Sequence, residues 1–225
     1  MFRPVHRLAI SAFACAALAI SPAAAAHADA PSDCAGADLA PTAADMPLVE
    51  GATLCLLNAE RTSRGLTPLR ANGRLRNAAL AHSRDMVANH YFAHEDQSGR
   101  GPEDRIARAG YLPHYGPWVI GENIAWGTDY LSTPREILRA WMNSPPHRHN
   151  ILYSDFREIG VGIALGVPDP SLGDGATYST EFGSKARELT QARRAHRSRA
   201  NRGHKRAAGR GCRRTPNPAV SFCSS

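Results

Sequence analysis

Lysine is almost absent from this chain: two residues, against 25 arginines in a total of 225. Aromatic residues are sparse, at 7%. Outside the N-terminus no apolar run approaches the ~18 residues of a membrane-spanning helix, which excludes a polytopic membrane protein. No Cys-x-x-Cys spacing occurs, so a zinc ribbon or a thioredoxin-type centre is not indicated. His-Glu-x-x-His and Gly-x-Ser-x-Gly are also missing, which removes the usual motif signals of a zincin or an α/β-hydrolase. No internal repeat is present.

What is there divides by charge. The formal charge of +7 is an average over unlike parts. Residues 184–225 hold 12 Lys/Arg and one acid, a net of +11, whereas residues 31–183 hold 13 bases and 18 acids, a net of -5. The body is mildly acidic, so no specific nucleic acid is expected as its partner. Residues 185–225 read as a basic, Arg-rich tail, too polar to bury a core and expected to be disordered. Such a tail suits an anionic cell-wall polymer, bound through counterion release. A purely solubilising extension is the equal alternative.

The first 28 residues read as an export signal. Arg3 and Arg7 precede an apolar stretch from Leu8 to Ile20, and Ala26-His27-Ala28 fits a small-x-small cleavage site. The expected product is secreted, with no transmembrane span after signal removal. It keeps four cysteines, Cys34, Cys55, Cys212 and Cys223, an even number that reads as disulfides in an exported chain. Three pairings are open. The local one, Cys34–Cys55 with a terminal Cys212–Cys223, costs the least loop closure.

Residues 29–45, rich in Ala, Pro, Asp and Ser, read as a linker, and residues 46–184 as the folded domain. Periodicity predicts helices over 48–63 and 73–89, the second with Leu75, Ala79, His82 and Met86 on one stripe. His82 is therefore expected buried. Residues 95–121 are rich in Gly and Pro and read as loops, with a short helix from Pro102 to Ala109, and Gly121–Trp126 is expected in the same loop-rich passage. A further helix begins after Ser132-Thr133 and stops at Pro145-Pro146. Ile159–Leu165 and Thr177–Phe182 alternate in the manner of a strand hairpin. The order, helices first and strands later, predicts a layered α+β domain. Arg61 and Asp85 fit either a buried pair or two solvated faces.

Chemistry is concentrated around histidines near turns and helix ends: His90, His94, His147 and His149. Imidazole suits zinc, copper or nickel, and a carboxylate such as Glu122 can complete a site or serve as a general base. Each signal is weak alone. The segments together are not. Asn58-Ala59-Glu60-Arg61, Tyr91-Phe92-Ala93-His94, Gly121-Glu122-Asn123-Ile124-Ala125, Trp141 to Leu152, Ile159-Gly160-Val161-Gly162 and Glu181-Phe182-Gly183 follow one another in an order that resembles the CAP superfamily. That superfamily groups cysteine-rich secretory proteins, antigen 5 and plant pathogenesis-related 1 proteins, and shares the SCP domain. The likeness is closest to secreted bacterial members and covers about residues 48–183.

The resemblance implies a three-layer α-β-α sandwich with a central antiparallel sheet. It implies a cleft with two His, here His94 and His147, and an acid at Glu122. The second acid of many relatives maps onto Ser144, a departure from the pattern, and Asp104 is the expected substitute. The implied set for Zn2+ or another divalent cation is then His94, Glu122, His147 and Asp104. The function that follows is a non-catalytic binding module, with a lipid, sterol or peptide ligand near the cation. The alternative is a metal-dependent, peptidase-like hydrolase using Glu122 as general base.

Overall fold

The computed structural model describes residues 34–185. The expected export signal, the expected basic tail, Cys212 and Cys223 lie outside the described residues.

The described part opens with turns at Cys34–Ala37 and then enters α1 (Met46–Ser63), with Pro47 in its first turn. β1 (Arg70–Ala71) is only two residues long. α2 (Gly73–Ala88) starts at Asn72, whose side chain accepts from the amides of Arg74 and Leu75. α3 (Pro102–Arg108) follows, then β2 (Trp118–Thr128), α4 (Pro134–Asn143) and α5 (Pro145–Leu152). β3 (Glu158–Leu165) and β4 (Gly175–Lys185) complete the sheet.

The strands lie in the order β1-β3-β4-β2. β4 pairs antiparallel with both β2 and β3, and only the short β1 runs parallel to its neighbour. α2 covers one face of the sheet, and α1, α4 and α5 cover the other. This is the expected three-layer α+β sandwich. Its larger core fills the α1 side, where Leu56, Leu57, Trp141, Ile159, Ile163, Tyr178 and Phe182 are buried together. On the α2 side the strands present Gly160 and Gly162, and the helix backbone rests directly on them.

Of three expectations, two need correction and one is extended. Gly121–Trp126, expected in a loop-rich passage, forms the middle of the 11-residue strand β2. The helix expected to stop at Pro145-Pro146 does so, α4 ending at Asn143, but the same prolines start α5, because a proline at the first helical position gives up an amide that would be unpaired there anyway. Residues 34–45, expected as the end of a linker, belong to the domain. Cys34 and Ala37 are buried, Cys34 is bonded to Cys55 on α1, and Asp38 pairs with Arg135 of α4 at 2.6 Å.

The disulfide closes a loop with a sequence separation of 21. Loop-closure entropy predicts a contribution of about 3 kcal/mol. Thermal melts with and without reductant are expected to differ accordingly for the wild type. The Cys34→Ser/Cys55→Ser variant is expected to melt at the lower temperature in both conditions.

Candidate functional site

The site lies where β2, α3, α5 and the segment after α2 meet. Glu122 is on β2 and buried, its side chain 2% exposed. His94 follows the end of α2, with a side chain 51% exposed. His94 Nδ1 lies 2.6 Å from Glu122 Oε1. A carboxylate accepts, so the imidazole donates through Nδ1 and its Nε2 keeps the free lone pair. The Glu122 contact raises the His94 pKa against the opposing effect of burial.

The other oxygen of Glu122 is also taken. Arg105, on α3, donates from Nη1 to Glu122 Oε2 at 2.9 Å, and from Nη2 to the His94 carbonyl at 2.6 Å. Arg105 Nη2 also lies 3.1 Å from His82 Nδ1, while His82 Nε2 lies 3.0 Å from the Ala93 carbonyl. The carbonyl takes the Nε2 proton, which leaves Nδ1 to accept from the guanidinium. His82 is thus a neutral histidine, and burial lowers its pKa. It is buried, as its helical stripe predicts, and it supports Arg105 instead of facing a ligand.

His147 comes from the first turn of α5, on the other side of the β2 edge. Asn123 donates to its carbonyl at 3.1 Å, and Asn150 donates to the Glu122 carbonyl at 2.9 Å and to Asn123 Oδ1 at 2.9 Å. These amides tie α5 to the strand that carries Glu122. The His147 ring is half-buried. Burial, and after it the charge of His94, lower its pKa.

The structure joins His94 to Glu122 directly, carries His147 on the helix that Asn123 and Asn150 tie to β2, and leaves Asp104 out. Asp104 is exposed and accepts from the Gly101 amide at 3.1 Å across the first turn of α3. A carboxylate at that position satisfies an otherwise unpaired helix donor and opposes the positive end of the helix dipole. It is therefore a helix cap, and the expected second acid must be sought elsewhere. His90 and His149 stand outside the His94–Glu122 contact: His90 approaches the Pro168 carbonyl at 3.2 Å, and the His149 ring packs on Tyr153. Asp85 does not pair with Arg61. It bonds Asn89 and Tyr91, and Arg61 is buried among carbonyls.

Sequence reasoning missed two members of the cluster. Arg105 is its hub. Glu181, on β4, is completely buried and lies directly opposite Glu122 in the strand register. Its Oε1 is 3.7 Å from Arg105 Nη1, and neither oxygen has a hydrogen-bond partner among the described residues. A lone acid in the alternating segment Thr177–Phe182 is the available signal.

Among the described residues no group of three or more His, Cys, Asp or Glu side chains could hold a metal ion. With both Glu122 oxygens bound to protein donors, the free donors are the imidazoles. Glu122 behind His94 Nδ1 is the usual carboxylate support of a metal-facing histidine. The free Nε2 of His94 is thus a donor of the kind a divalent cation takes. No helix among the described residues is long and apolar enough to cross a membrane.

Residues 54–172 match the family described as the cysteine-rich secretory protein family, CAP. The chain is 42% identical over 107 residues to an uncharacterized protein, YkwD, of Bacillus subtilis, covering 48% of this chain and 39% of that relative. An extracellular protein containing an SCP domain from Bacillus anthracis superposes with a TM-score of 0.50 at 29% identity, over 63% of this chain and 43% of that one. An outer surface protein of Borrelia burgdorferi shares the fold, with a TM-score of 0.51 at 20% identity over 64% of this chain and 96% of that chain. The chain thus spans less than half the length of the Bacillus proteins it matches. With the sandwich, the His94–Glu122 contact and a family match over more than half of its residues, the chain belongs to the cysteine-rich secretory protein (CAP) family.

Proposed function

We propose that this CAP domain is an exported binding module whose cleft offers His94 and His147 to a divalent cation, zinc in the first instance. One observation carries the reading: the 2.6 Å contact that commits His94 Nδ1 to Glu122 and leaves Nε2 free. A cation there would supply a Lewis-acidic centre for a donor atom of a captured ligand. Phe92, exposed two residues before His94, offers an apolar contact for a lipid, sterol or peptide beside it. Export is supported by the N-terminal signal pattern and by the likeness to an extracellular SCP-domain protein.

The binding reading is favoured over hydrolysis by the state of Glu122. A general base needs an oxygen within reach of the attacking water. Glu122 is 2% exposed, and its oxygens accept from His94 and Arg105. Among the described residues no Ser, Thr or Cys side chain is hydrogen-bonded to His94 or His147, so no activated nucleophile accompanies the pair.

Isothermal calorimetry with zinc alone tests the proposal on the wild type, His94→Ala and His147→Ala. Loss of an outer carboxylate partner commonly costs ~10–100-fold in metal affinity, so each imidazole deletion is expected to cost about 100-fold or more. Equal zinc binding by all three proteins would overturn it.

A further inference from the structure

Glu181 is the buried acid that the binding reading leaves unused. β4 is an interior strand of the sheet, and Glu181 is fully sealed from water. Neither of its oxygens is hydrogen-bonded among the described residues. Buried polar side chains are nearly always satisfied, and an unpaired buried carboxylate is among the costliest groups a fold can hold. The register makes the cost worse. Glu122 and Glu181 are direct cross-strand partners, with a Cβ separation of about 5 Å in such pairs. Two negative charges at that distance repel.

The groups that face the pair are few. Arg105 approaches Glu122 at 2.9 Å and Glu181 at 3.7 Å, so its guanidinium is committed to Glu122. His94 donates to Glu122 as well, at 2.6 Å. His82 lies 3.8 Å from Glu122 and has its nitrogens engaged by Ala93 and Arg105. One guanidinium cannot neutralise two acids, and no donor among the described residues is hydrogen-bonded to Glu181. The remaining way to remove the repulsion is a proton, and Glu181 is the acid without a donor.

We propose that Glu181 is a positioning residue of the cleft: it carries the proton of a two-carboxyl pair and donates it to Glu122, holding that carboxylate against His94. The direction of its acidity agrees. Burial, and after it the charge of Glu122, push the Glu181 carboxyl well above the usual carboxylate range, against the opposing pull of Arg105. Glu122 then sits under three donors, His94, Arg105 and Glu181, and cannot turn away from the imidazole. The second acid that the family pattern expects after Trp141 is thereby replaced from a different strand. The link to the cation rests on the binding reading above, whereas the proton bridge does not.

The test uses the full chain as wild type, Glu181→Gln and Glu181→Leu. The infrared spectrum of the wild type at neutral pH is expected to contain a protonated-carboxyl band that Glu181→Gln lacks. Long-range nitrogen NMR is expected to show His94 as the Nδ1–H tautomer in the wild type and in Glu181→Gln, since the glutamine amide also donates to Glu122. Glu181→Leu, which fills space without a donor, is expected to mix the tautomers and to weaken zinc binding about tenfold.

Absence of the band in the wild type would overturn the proposal. So would a folded Glu181→Leu protein with wild-type tautomer and zinc affinity. If Glu181→Leu does not fold, the band comparison between wild type and Glu181→Gln decides alone. A wild type that binds no zinc but shows the band and the tautomer pattern would sink the binding reading and leave this one standing.

Discussion

Replacing Arg61 with methionine is expected to destabilise the domain by about 4 kcal/mol, one of the largest losses available to a single change away from the cleft. Arg61 is completely buried, yet among the described residues no carboxylate pairs with it. Its guanidinium donates to the carbonyls of Thr67, Ile151, Tyr153 and Phe156, at 3.0, 2.7, 3.0 and 3.2 Å. Two of these belong to the end of α5 and the residue after it, where the helix dipole is negative. Burial, and after it Arg157, lower the Arg61 pKa to about 10, which leaves the side chain charged at neutral pH.

Methionine keeps most of the volume and removes every donor. The four carbonyls are then left buried and unpaired, at about 1–3 kcal/mol for each group that water cannot reach. For a domain of this size a loss near 4 kcal/mol corresponds to a fall of roughly 8–16 °C in Tm. Arg61→Lys is expected to fall between, because a single ammonium cannot span carbonyls that a planar fork reaches. Differential scanning calorimetry of the three proteins is the measurement. A shift of only ~2 °C for Arg61→Met would mean that the carbonyls find other donors. The change also bears on the cleft, since Arg61 anchors the C-terminal end of the helix whose first turn presents His147.

Much of the fold is legible along the chain because the core side of each element leaves a periodic trace. α1, α2 and α4 carry apolar residues at helical spacing, and β3 alternates Ile159, Val161 and Ile163 with Gly160 and Gly162. That alternation reports two different packings. The bulky residues enter the α1-side core, and the glycines admit α2. β2 leaves no such trace. Its buried positions include Glu122 and Asn123, which are inside because α3, α5 and His94 supply their partners. No local pattern reveals partners so distant in sequence. α5 is obscured for another reason: two prolines end one helix as readily as they begin the next.

The site divides the same way. That His94, Glu122 and His147 belong together came from family resemblance, since their spacing of 28 and 25 residues carries no periodic information. Asp104 was a plausible acid in composition alone, and the N-terminus of α3 claims it as a cap. Arg105 and Glu181 acquire their roles only from geometry. Arg105 reaches its partners from a short helix, and Glu181 meets Glu122 through strand register. A shift of register by one residue would turn Glu181 to the opposite face of the sheet, which is why this pairing cannot be inferred before the sheet is assembled.

Adding one methyl group at Gly162 is expected to cost at least about 3 kcal/mol, at the upper end of what overpacking does. A Cβ on Gly162 would stand 2.1 Å from the Leu80 amide nitrogen and 2.4 Å from the Ala79 carbonyl carbon. One on Gly160 would stand 2.0 Å from both the Arg76 nitrogen and the Leu75 carbonyl carbon. These are backbone atoms of α2, so no rotamer change relieves the contact. Either the helix lifts from the sheet or the strand bends. Lifting breaks the Ser83 hydroxyl contacts with the Gly162 carbonyl and with Ser179, both 2.9 Å, and it displaces His82, which rides on the same helix and supports Arg105.

Gly162→Ala is therefore expected to lower Tm by roughly 6–12 °C and to loosen the Arg105–Glu122–His94 chain together with the fold. Gly51→Ala is the control. Gly51 lies within α1, and nothing stands inside 4 Å of the place an added methyl would take. Alanine there should stabilise by about 0.5–1 kcal/mol through helix propensity alone. If Gly162→Ala melts as high as Gly51→Ala, α2 is not seated on the glycines of β3, and the layer that positions His82 and Arg105 must be held by something other than close backbone contact.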